Sequence, residues 1–80
     1  MEKKVKLTWD FMGPDAHKIA EHYEHHLLEF IQMHKLKNEI TGIENISDVY
    51  ATSYMVVDEN EVDQVRAALR PKRLEWYETN

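Results

Sequence analysis

Three of the five histidines fall within five positions of the stretch AEHYEHHLLEF, residues 20–30. Neutral imidazole is a donor for zinc, copper and nickel, and it titrates near physiological pH. His22, His25 and His26 therefore have the right chemistry for a metal site or a proton relay. Spacing limits how much of that chemistry is available. His22 and His26 stand at i and i+4, where two rings on a helix converge on one ion, and Glu29 follows His26 by three residues. One helix supplying two or three ligands falls short of the four that close a structural zinc site, and the chain has no cysteine to complete the set. The expectation is a solvated helix face on which His22 and His26 capture a divalent ion weakly and opportunistically. No cofactor is expected.

His34 differs from the other three because it falls on the apolar stripe of the same helix, near its C-terminal end. One reading makes it a partly buried residue set against terminal carbonyls; the other makes it an acid or base at the end of a cleft. No Ser-His-Asp pattern, glycine-rich phosphate loop or His-Glu-x-x-His run accompanies it.

The elements that must position these groups follow from periodicity. Val5, Leu7, Trp9 and Phe11 alternate with Lys4, Lys6, Thr8 and Asp10, which predicts a half-buried strand ending at Gly13-Pro14. From Asp15 to Leu36 the apolar spacing becomes three and four, through Ala16, Ile19, Ala20, Tyr23, Leu27, Phe30, Ile31 and His34. That is a long amphipathic helix, with Asn38 as its stop. Two strands follow over 40–46 and 49–57, joined at Ser47-Asp48. The second puts Val49, Ala51, Ser53, Met55 and Val57 on one face and Tyr50, Thr52, Tyr54 and Val56 on the other. In DENEVDQVRAALRP, Asp58 and Glu61 form a capping box, Val62, Val65, Ala68 and Leu69 form an apolar stripe, and Pro71 ends the helix. A last short strand carries Leu74 and Trp76 against Arg73, Glu75 and Tyr77.

This order, β-α-β-β-α-β, resembles the ferredoxin-like α+β sandwich over residues 1–80 as a single domain. The resemblance is one of element order and brings no family's site residues with it. It implies an antiparallel sheet with two helices on one face and the first strand beside the last. It also implies a second sheet face without helices, bearing Tyr50, Tyr54, Val56 and Tyr77 beside Lys4, Lys6 and Arg73.

Those seven residues are the expected binding surface of a small assembly module, serving a homodimer, a partner or a small-molecule ligand. Eighty residues bury a modest core, which gives a thermodynamic motive for further burial between copies. Two other readings compete. Aromatics beside basic residues on an open sheet are how RNA-recognition domains stack single-stranded bases. The net charge of −5, from ten basic against fifteen acidic residues, argues against nucleic acid. A small dimeric α+β-barrel enzyme would instead enclose a cavity near His34, lined by Trp9, Tyr23 and Trp76. No apolar run approaches the ~18 residues of a spanning helix, and the opening MEKKVKL lacks an apolar signal core. A cytoplasmic protein without a membrane contact is expected.

Overall fold

Alternation forms the first strand over the expected residues. In a computed structural model, which describes residues 3–77, β1 spans Lys4–Met12 and α1 spans Ala16–His34. The hairpin strands are β2 (Ile40–Ser47) and β3 (Tyr50–Asp58). A single 3-10 turn (Glu59–Glu61) leads into α2 (Val62–Leu69), and β4 (Arg73–Tyr77) completes the order. The chain is thus of the α+β class, and its element order is consistent with a ferredoxin-like one. All neighbouring strands are antiparallel, in the order β2-β3-β1-β4, so the first strand does lie beside the last.

Both helices pack on the sheet face that carries Val5, Leu7 and Trp9 of β1 and Met55 and Val57 of β3. Leu27 and Ile31 of α1 and Val65 of α2 close over them in one buried cluster. Trp9 is only 5% exposed. Its ring lies 5.4 Å from that of Tyr23, and its Nε1–H donates to the carbonyl of Leu69 at 2.8 Å. That carbonyl is one of the unpaired groups at the C-terminus of α2, so the indole both fills the core and caps a helix. A second seam is built of small residues. Ala16 and Ala20 meet Ala51, and the buried Ser53 hydroxyl donates to the carbonyl of Ala20 at 2.6 Å.

Three departures from expectation have local causes. The long helix stops before Asn38, because Lys35 adopts a left-handed conformation (φ 52°). The N–H of Leu36 then reaches the carbonyl of Ile31 and that of Lys35 the carbonyl of Gln32. Such a pair of bonds closes a helix when the next residue is apolar and docks back, as the buried Leu36 does. Val49 belongs to the hairpin turn and is exposed rather than inward-facing, since the turn falls one residue later than Ser47-Asp48. Leu74 and Trp76 lie on the helix side of the sheet opposite Leu7 and Val5, yet they are 42% and 61% exposed. The eight residues of α2 are too few to cover β4 as well as β1.

Asp58 ties the far end of the sheet together. Its Oδ1 accepts from Asn38 Nδ2 at 2.8 Å and from Lys4 Nζ at 3.1 Å, and its Oδ2 lies 3.7 Å from Lys37 Nζ. It also forms the expected capping box with Glu61, over the 3-10 turn. The hydrogen bond from Asn38 first, and then that from Lys4, hold its carboxyl below the ordinary value of 3.8. A depressed folded-state value means that Asp58 stabilises the fold fully above 3.8 and loses that contribution as pH falls through the lower folded value. Asp58→Asn should therefore melt below the parent at pH 7, and the two melting curves should draw together as the pH drops below 3.8. A gap that persists unchanged at acid pH would show that the carboxylate charge is not what matters.

Candidate functional site on the helix-free sheet face

Strand alternation brings the expected residues to one surface. In register across the sheet, β1 presents Lys4, Lys6, Thr8 and Asp10 beside Tyr50, Thr52, Tyr54 and Val56 of β3. Beyond β1, β4 contributes Arg73, Glu75 and Tyr77; beyond β3, β2 contributes Ile40, Gly42 and Glu44.

This face is organised by its own side chains. Tyr54 lies across β2, with its phenol end over Gly42; a Cβ at that position would collide with the ring. A glycine with an aromatic neighbour folded over it is a recurring cross-strand device, and here it lays the ring flat. Above the ring runs Lys6, whose Nζ is 4.5 Å from the ring centroid and 3.0 Å from Glu44 Oε1. The cation thus bridges β1 and β2 across β3. A second bridge crosses the other half of the sheet, where Asp10 Oδ1 accepts from the Tyr50 hydroxyl at 3.0 Å and from Arg73 at 2.8 Å. Lys4 is held at the end of the face by Asn38 and Asp58. Beneath these bridges Thr8, Thr52 and Val56 are buried without any helix above them. The hydroxyls of Thr8 and Thr52 have no hydrogen-bond partner among the described residues.

Lys6 and Arg73 therefore share this face without forming a joint basic patch. Lys6 turns toward Glu44 and Arg73 toward Asp10, so each cation on the face already has a carboxylate. A phosphate backbone would have to displace those partners. Strand alternation put the tyrosines and lysines on this face but singled out neither Glu44 nor Gly42, and Val56, expected at the binding surface, is instead fully buried beneath the bridges. Glu44 sits in a strand whose alternation is weak, and nothing in the sequence around Gly42 distinguishes a break from a seat for a ring.

The histidines gather nothing comparable. His22, His25 and His26 are exposed on α1. The His22 and His26 rings meet edge to face at 4.8 Å, and His26 Nδ1 is 3.3 Å from Glu29 Oε1. Among the described residues no group of three or more His, Asp or Glu side chains converges as a metal-ligand set. His34 corrects the expectation of partial burial. It is exposed, stacked on Phe30 at 4.2 Å, with Nδ1 3.4 Å from Gln64 Nε2. Of the residues expected to line a cavity with it, Trp9 and Tyr23 are packed together in the core instead. Among the described residues no helix is long and apolar enough to cross a membrane. The chain matches no protein-family model, no curated protein and no solved structure.

Proposed function

We propose that the chain is a small assembly module, ferredoxin-like in its sheet arrangement, whose helix-free face pairs with a second copy of itself. The fold part of this reading rests on two β-α-β passages that place β1 and β3 at the centre and β2 and β4 at the edges.

The observation that carries the functional part is the electrical balance of a pre-ordered aromatic face. The whole chain has a net charge of −5. On this face Lys4, Lys6 and Arg73 stand against Asp10, Glu44 and Glu75, and Asp58 is matched by Lys37. The excess negative charge thus lies elsewhere, and two copies repel least when these faces meet. A two-fold axis sets a patch against itself, so a surface carrying both signs is its own complement. Tyr50 and Tyr54 are already fixed, by Asp10 and by Gly42 with Lys6, so less side-chain freedom is lost on association.

Tyr54→Asp tests the reading. It puts a carboxylate at the centre of the face and removes an aromatic anchor, while the helix-covered core is untouched. Sedimentation of the parent at high micromolar concentration should give a dimer, and the variant should sediment as a folded monomer. A parent that stays monomeric, or a variant with unchanged mass and melting temperature, would reduce this face to ordinary surface.

A further inference from the structure

A groove of about 470 Å³ opens on the opposite side of the sheet, where α2 fails to cover β4. Its apolar lining is Val5, Val62, Leu74 and Trp76. A pocket of this size with such a lining and few polar groups has the usual form of a small-molecule site. Glu59 and Asp63, four residues apart where the 3-10 turn enters α2, also line it. Beside the groove the chain supplies its own cation. The carbonyl of Lys3 accepts the N–H of Glu59 at 3.0 Å, and Lys3 Nζ lies 5.3 Å from the centroid of the Trp76 ring. That is within the range at which a ring face attracts an ammonium group.

We propose that this groove binds a small amphiphilic organic cation, an alkyl- or arylammonium. Its apolar body lies on Val5, Val62 and Leu74, and its charged head meets the Trp76 ring and the carboxylates of Glu59 and Asp63. Three observations converge on that chemistry. Leu74 and Trp76 are the exposed apolar residues of an edge strand that the fold leaves uncovered. The carboxylates at the rim select positive charge. The ring already holds a primary ammonium, so the ligand competes with Lys3 for it. The site lies across the sheet from Tyr54 and does not depend on pairing of the other face.

The two tryptophans allow a direct test, because their indole N–H resonances report separately on Trp9 in the core and Trp76 in the groove. Octyltrimethylammonium titrated into the intact chain should shift the Trp76 resonance saturably and leave that of Trp9 in place. Octanoate and 1-octanol, of similar apolar length, should bind at least about fivefold more weakly. Glu59→Gln with Asp63→Asn should weaken the cation about fivefold and leave 1-octanol unaffected, while Lys3→Gln should tighten the cation. Trp76→Leu, followed by calorimetry, should cost the cation about threefold. Absence of a saturable Trp76 shift would overturn the proposal. So would equal binding of the anionic or uncharged amphiphile, or an affinity for the cation that ignores both the rim carboxylates and Lys3.

Discussion

Trp9→Ala should leave the chain at the edge of unfolding. Truncating a buried tryptophan costs about 3–5 kcal/mol, through lost transfer energy and the cavity left behind. A domain of this size has roughly 4–12 kcal/mol to lose. Two further losses add to that of the ring. The carbonyl of Leu69 forfeits its indole donor, and Tyr23 forfeits the contact that holds it between Trp9 and Phe11. Trp9→Phe separates these contributions, because it keeps an aromatic ring in the core and removes only the N–H with part of the volume. Urea unfolding should place Trp9→Phe between the parent and Trp9→Ala, with the last largely unfolded near room temperature. An alanine variant whose midpoint stays within experimental error of the parent would mean that the strand faces are reversed, and the reading of the helix-free face would go with them.

Ala20→Leu should be the second most damaging change, for the opposite reason. Ala16, Ala20, Ala51 and Ser53 are all fully buried, and they let α1 settle directly onto β3. Three added carbons at Ala20 have no space to enter. They must lift the helix and break the 2.6 Å bond from Ser53 to the Ala20 carbonyl. Overpacking of this kind costs about 1–3 kcal/mol. In an 80-residue chain this corresponds to a fall in Tm of roughly 5–20 °C. Ala68→Leu is the control, since Ala68 is exposed on α2 and a surface change there moves stability by about 0.5 kcal/mol or less. Calorimetry that found the two variants equivalent would refute the close approach of α1 to β3.

Where one side of an element is buried and the other wet, the sequence was easy to read. The alternation of β1 located Trp9 in the core and Lys6 on the far face, because a one-residue slip would bury two lysines. The capping box at Asp58 and Glu61 was legible because it is a local exchange of hydrogen bonds within four residues. Exposure at Leu74 and Trp76 was not legible. Their alternation assigns them to the helix side, and only the length and placement of α2 decide whether anything covers them. His34 misled for a similar reason. It continues the stripe of α1, but it stays exposed, with Phe30 and Gln64 of α2 as its neighbours instead of the sheet. The ordering of the tyrosine face was hidden because its partners are distant in sequence. Lys6 finds Glu44, and Asp10 finds both Tyr50 and Arg73, only once the strands are in register.

The central place of β1 also bears on how the chain reaches its fold. β1 forms early in the sequence, yet one of its two neighbours is β4, so the ladder that sets Lys4 opposite Tyr77 cannot close until nearly the whole described chain is present. Pairings between such distant residues are slow to form, because the entropy of closing the loop is lost before the contacts reward it. Until then Val5, Leu7 and Trp9 lie on a strand with a free edge, which is the kind of surface that recruits other chains. The alternate positions of that edge are Lys4 and Lys6. In the finished protein they anchor Asp58 and bridge to Glu44. Before β2 and β3 are in place the two lysines have no carboxylate beside them, and as gatekeepers they would make a stack of such strands electrostatically costly. The same two lysines thus serve the assembly of the sheet before they serve its surface.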